Sequence, residues 1–213
     1  MKKNNLQNNS FGYLWFRFFL WLLMFYYGIK FIIDKAVRYF YFNEETYEEY
    51  WKINWLLLIH ILAGLVVLLI GPLQFFPYFR AKNIKIHKWL GKIYLAGIIL
   101  GSFFSLYIAI FFTAKSHWTW AAALIPLSVI WLLSALLGYR AAKNGKLQLH
   151  KEWMIRSYII TFTFVTFRWL MKFSFFAITA DGRDRTALAI WLGWTVPLFI
   201  NEAMLNWIKR RTN

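Results

Sequence analysis

Long apolar runs separated by short charged or turn-forming clusters organise this chain. Six runs stand out, at about 13–33, 54–77, 88–112, 118–139, 150–176 and 187–208. Each is long enough to cross a hydrocarbon core of roughly 30 Å, which takes about 20 apolar residues in helical form. Inside lipid a backbone must satisfy its own N–H and C=O groups, so runs of this length predict helices. The pattern therefore predicts an all-α fold, a six-helix membrane bundle with residues 1–213 forming one transmembrane domain. The first run is too long for a signal-peptide core and no small-residue cleavage site follows it, so it reads as a retained helix. Trp51, Trp55, Trp118, Trp120, Trp169, Trp191 and Trp194 fall near one set of run ends, and Trp89, Trp153 and Trp207 near the other. Tryptophans gather in this way at the two membrane interfaces. Between the first two runs, residues 43–52 predict a short interfacial helix capped by Asn43, with glutamates in its first turns and Tyr47, Tyr50 and Trp51 on the membrane surface.

Composition sharpens this picture. The chain is 60% hydrophobic and 16% charged, too apolar for a soluble domain of 213 residues. It has no cysteine, which excludes disulfides, thiol redox chemistry and cysteine-ligated metal sites. No phosphate-binding glycine loop or serine-elbow motif occurs. The net charge of +16 does not point to nucleic acid, because the basic residues sit in clusters between apolar runs. With the N-terminus placed inside, the inner segments hold sixteen basic residues against two acidic ones, and the outer segments nine against seven. By the positive-inside rule this predicts a multi-pass protein of the cell inner (plasma) membrane with both termini cytoplasmic and a lipid bilayer as its surroundings.

Polar groups within a bilayer are costly, which makes them the place to look for chemistry. Steps of three and four lead from His60 to Gly64, Val67, Gly71 and Gln74, from His87 to Gly91, Tyr94, Ile98, Gly101 and Ser105, and from His150 to Met154, Ser157, Thr161, Phe164 and Arg168. Each histidine heads a stripe of small and polar residues, the kind that packs inside a bundle. His87 and His150 begin the third and fifth runs on the inner side. His60 lies about six residues in from the outer end of the second, roughly 9 Å. That leaves on the order of 20 Å between His60 and the inner pair, too far to share one metal ion. His87 and His150 suit the two axial positions of a b-type haem iron, with Gly91 leaving room for the macrocycle and Arg156 or Lys92 meeting its propionates. An outer haem would need His60 with His117. The plainer reading of a histidine followed by lysine at a helix start is an interfacial flank. Arg156 and Glu202, at similar depth, suit an ion pair. Arg168 and Lys172 either snorkel to the surface or bind an anion beside His60. Gln74, after the Gly71-Pro72 kink, falls within reach of the His87 level. Three readings follow, in this order: a haem-binding membrane protein that passes electrons to or from a redox partner, a non-enzymatic permease or complex subunit whose His/Arg cavity takes a small-molecule ligand, and a structural bundle with no ligand.

The residues that carry these readings also carry a resemblance. His60-Ile61-Leu62-Ala63-Gly64, Gly71-Pro72-Leu73-Gln74, the run HKWLGKIY from His87 to Tyr94, and HKEWMIRSY from His150 to Tyr158, followed by Arg168, resemble in order the motifs of a bacterial membrane family, domain of unknown function 2306. The resemblance covers about residues 55–170. It implies a multi-helix bacterial membrane protein and no established activity. Its motifs include counterparts of His60, His87 and His150 but none for His117. The architecture is also similar to that of cytochrome b561-type proteins, six-helix carriers of two haems whose ligands pair helix 2 with 4 and helix 3 with 5. That similarity implies the pairs His60/His117 and His87/His150.

Overall fold

The computed structural model describes residue 19 and residues 21–76, 82–174 and 182–212. The start of the first predicted run, Arg80 in the following connection and Asp181 before the last run lie outside the described residues. Everything described is helix or short connection. Helix α1 (residues 21–31) continues through a π turn, Ile32–Ala36, and a 3-10 segment, Val37–Tyr41. The one-turn α2 is Glu44–Tyr47, and a 3-10 segment, Glu48–Ile53, leads into α3, Asn54–Phe75. Then come α4, Ile84–Ile108, prolonged by a π turn at Ala109–Thr113, α5, Trp118–Lys143, α6, Leu147–Leu170, and α7, Gly182–Thr212. Helices α4, α5 and α7 run several residues past the apolar stretches that announce them, because amphipathic ends such as Ile84–Lys85 and Arg140–Lys143 keep helical hydrogen bonding beyond the hydrocarbon, whereas α3 and α6 end short of theirs, at Phe75 and Leu170.

Among the described residues, four helical stretches are long and apolar enough to cross a membrane: Glu44–Phe75, Ile84–Ser116, Trp118–Lys143 and Gly182–Trp207. Helix α6 has the length, at 24 residues, but not the apolar composition. The reason is its position. It packs on α5 and α7, a side chain added at Gly28 of α1 would meet its Phe162 at 3.9 Å, and its Tyr158 reaches the Leu68 carbonyl of α3. Its Ser157, Thr161 and Thr163 are at most 1% exposed, so its polar face looks into protein and not lipid.

Small residues set the helix spacing. A side chain added at Gly97 would meet Val67 of α3 at 2.6 Å, and one at Gly101 would meet the Trp131 ring of α5 at 3.0 Å. Gly193 of α7 stands in the same relation to Thr163 of α6, at 3.3 Å. The core gathers round these approaches, with Val67, Ile98, Trp131, Ile160 and Ile190 almost fully enclosed. Contacts such as Gly101–Trp131, Ser105–Ser128 and Trp131–Thr161 make α5 antiparallel to both α4 and α6, so α4 and α6 run parallel.

One end of the bundle is capped by residues 37–53. As anticipated, Asn43 caps α2, its Oδ1 accepting the Thr46 N–H at 2.9 Å. Tyr47, however, does not lie on the membrane surface. It is 1% exposed, donates its hydroxyl to the Tyr39 carbonyl at 2.9 Å and packs edge-on against Tyr39 and Phe42. Burying that ring folds the segment back over the helix ends.

Candidate functional site

Beneath the cap lies a cavity of about 200 Å³. Helix α3 supplies His60, Gly64 and Leu68, α4 supplies Ser105 and Ile108, and α6 supplies Thr161, Phe164 and Arg168. The cap closes it with Tyr39 and Tyr50, whose hydroxyl hydrogen-bonds the Thr113 hydroxyl at 3.1 Å. Both π turns contribute, one through Lys35 and Ala36, the other through Thr113. Such turns widen a helix by one residue and recur at functional sites because they re-aim side chains. The remaining wall is apolar, with Leu57, Ile61, Leu65, Leu124, Phe167 and Ile190.

The polar groups here have defined roles. His60 Nδ1 lies 2.9 Å from the Gly101 carbonyl oxygen, which only accepts, so Nδ1 carries a proton and donates it. Nε2 is then the nitrogen left for a ligand, a proton or a metal. The imidazole stands edge-on to Phe164, with ring centres 5.9 Å apart, which fixes its plane. Arg168 donates from Nη1 to the Phe164 carbonyl at 2.9 Å, and its guanidinium lies over the rings of Phe31 and Phe167 at 5.0 and 4.5 Å. These contacts orient the cation without neutralising it. Among the described residues no aspartate or glutamate lines the cavity. The nearby carboxylates are engaged elsewhere, Asp34 with Lys30 at 3.1 Å and Glu49 with Arg183 at 2.8 Å. Among the described residues neither Arg168 nor Lys35 pairs with a carboxylate.

The structure therefore brings His60 and Arg168 together, and with them Lys35, Tyr39 and Thr113, which the sequence did not single out, and Tyr50, which was expected on the membrane surface and instead turns its hydroxyl to Thr113 at the cavity. The signal was faint: Lys35 and Tyr39 look like a solvated flank until the chain folds back. His117 is not in the cavity. It precedes α5 and caps it with its backbone carbonyl, which accepts the Ala121 N–H at 3.1 Å.

At the opposite end, His150 Nδ1 donates to the Gly138 carbonyl at 2.8 Å, leaving Nε2 as its unassigned nitrogen. His87 lies in the first turn of α4 and is half-buried. The Tyr94 hydroxyl hydrogen-bonds Ser157 Oγ at 3.0 Å, which sets the register of the parallel helices α4 and α6. Two turns before Tyr94 comes His87 and two turns before Ser157 comes His150, at a common level. The space beside Gly91 is not empty: an added side chain would meet Gln74 Oε1 at 3.5 Å. Gln74 itself is 9% exposed, and among the described residues its Nε2 has no hydrogen-bond partner. Arg156 forms a two-pronged ion pair with Glu202, Nε to Oε1 at 2.7 Å and Nη2 to Oε2 at 2.8 Å, and stands 3.9 Å from Glu152. Its guanidinium is thereby taken up by carboxylates of the protein. Between the two ends runs a buried seam in which Tyr94, Ser157, Thr161 and Trp131 hydrogen-bond one another. Tyr158 sits apart from that seam, its ring against Gly71 and its hydroxyl donating to the Leu68 carbonyl at 3.3 Å. Among the described residues no three histidine, aspartate or glutamate side chains cluster to hold a metal ion.

The profile of a family described as "Predicted membrane protein (DUF2306)" matches residues 57–205, from the first turn of α3 into α7, and so extends past the motif resemblance. No curated protein and no solved structure matches the chain.

Proposed function

Since the chain belongs to the predicted membrane protein family DUF2306, whose description carries no activity, we propose its function from its own side chains: a non-enzymatic multi-pass protein that binds a small molecule in the cavity at its capped end, as a permease or as the ligand-binding subunit of a complex. In this reading six helices cross the plasma membrane, residues 1–213 are one transmembrane domain, both termini are cytoplasmic and the cap faces outward. The lean of basic residues toward the uncapped end supports that orientation. The observation that carries the reading is the placing of oriented polar groups, His60 and Arg168, on an otherwise apolar cavity wall. Ligand sites have this character, a mostly apolar concavity with a few fixed polar contacts.

Gly64 supplies the test, because a side chain added there meets nothing within 4 Å and would project into free space. Gly64→Leu should fill the cavity and leave the helix contacts intact. In lipid nanodiscs, a panel of ten-carbon amphiphiles should raise the thermal midpoint of the native protein and leave that of Gly64→Leu unmoved. Equal responses of the two proteins would dismiss the cavity as the binding site.

A second reading keeps a b-type haem between α4 and α6, with His87 and His150 as the residues that would hold its iron. It is favoured by their common level and by the His150 Nδ1–H bond to the Gly138 carbonyl, since metal-ligating histidines commonly donate their other ring N–H to a backbone carbonyl. The residues present fit it in part: Gln74 occupies the flank of Gly91, and Arg156 is engaged by Glu202. Haem bound there would make the protein an electron carrier. Purified protein should then show a Soret band that His150→Ala removes; a colourless protein that takes up no added haem would end this reading.

A further inference from the structure

The charges lining the cavity point to the class of ligand it takes. Among the described residues Arg168 and Lys35 are its two permanent cations, no carboxylate faces them from the wall, and the rest of the surface is largely hydrocarbon and aromatic. A fixed cation within a membrane protein is costly unless paired. Here the guanidinium is bound by the Phe164 carbonyl and by ring faces, which position it but supply no counter-charge. A guanidinium so oriented presents its remaining N–H groups as a fork for an acidic oxygen pair. The hydroxyls of Tyr50 and Thr113 are already hydrogen-bonded to each other, so the strongest free attraction in the cavity is for negative charge.

Resting on the cavity reading above, we infer that the ligand is an amphipathic acid, with one anionic head held by Arg168 and an apolar body lying along α3 and α6 past Gly64. Lys35, exposed in its π turn at the cap, draws the acid in, and His60 Nε2 offers a further polar contact deeper in the wall. Two sources share this chemistry, a free organic acid and the acidic headgroup of a lipid.

The experiment compares decanoate, 1-decanol and decyltrimethylammonium as probes. The full-length protein is held in nanodiscs of zwitterionic phosphatidylcholine at neutral pH, and binding is read from the thermal midpoint. Decanoate should act on the native protein at a concentration about tenfold below that of decanol, the margin expected of one charge-assisted contact, and the cationic probe should be weakest. Arg168→Gln should erase the preference for decanoate while keeping the response to decanol, and Arg168→Lys should restore much of it. Decanol matching decanoate in the native protein, or an undiminished preference in Arg168→Gln, would overturn the acid while leaving a working cavity. No difference between native protein and Gly64→Leu with any probe would instead remove the cavity reading itself. Exchanging phosphatidylcholine for phosphatidylglycerol separates the sources. A decanoate response lost in the anionic lipid shows the headgroup in the site, and one retained shows a free acid; both support the class.

Discussion

Gly64 and Gly71 lie two turns apart on one helix, yet substitution at each has a different physical consequence. At Gly64 an added methyl meets open space, and alanine is the better helix former by about 1 kcal/mol, so Gly64→Ala should hold or slightly raise the thermal midpoint. At Gly71 the same methyl would run into the ring of Tyr158, which is buried and tied by its hydroxyl to the Leu68 carbonyl. That ring cannot swing aside without breaking its bond, so Gly71→Ala should cost about 1–3 kcal/mol, the usual penalty for overpacking. Thermal melts of the two variants check the pair; a harmless Gly71→Ala would mean that α3 and α6 are not packed as described. Among the polar residues, Arg168 was visible in the sequence as a charge at depth, but whether it faces lipid, water or a cavity depends on neighbours far along the chain, Phe31 of α1 included.

Among the elements, α6 shows most clearly how burial rewrites a hydropathy profile. Its serines and threonines lower its apolar character, and they do so because it is the helix that other helices surround. Its existence was legible from its length and its histidine-headed stripe, whereas its central place was not, since periodicity says which residues share a face and not what that face meets. The seam through Thr161 should be felt as stability. Thr161→Val removes the acceptor of the Trp131 N–H and a contact of Tyr94, at a cost of about 1–2 kcal/mol, because the indole nitrogen is left buried without a partner. Trp131→Phe in the same background should recover part of that loss, and its failure to do so would place the cost elsewhere. The Arg156–Glu202 pair should show coupling of about 1 kcal/mol in a double-mutant cycle, modest because the Glu202 side chain is 42% exposed. The cap was the least legible element. Asn43 announced α2, but the fold-back of residues 37–53 depends on Tyr47 finding the Tyr39 carbonyl, a contact with no periodic signature.

For the whole molecule, the charge pattern and the bundle together predict a single orientation. The native chain has no cysteine, so single cysteines report topology without background. Glu45→Cys in the cap should react with a membrane-impermeant maleimide in intact cells, and Asn144→Cys, between α5 and α6, only after permeabilisation; the reverse pattern would invert the protein in the membrane. Among the described residues Arg168 lines the cavity with His60 and no carboxylate, and the functional account stands on a small molecule entering there. The most direct measurement is photolabelling in native membranes with a ten-carbon diazirine acid, followed by peptide mapping. The account predicts that the label concentrates on the cavity faces of α3 and α6, around Ile61–Leu65 and Phe164–Arg168, and disappears in Gly64→Leu. Label spread evenly over the lipid-facing residues, or unchanged by that substitution, would contradict it.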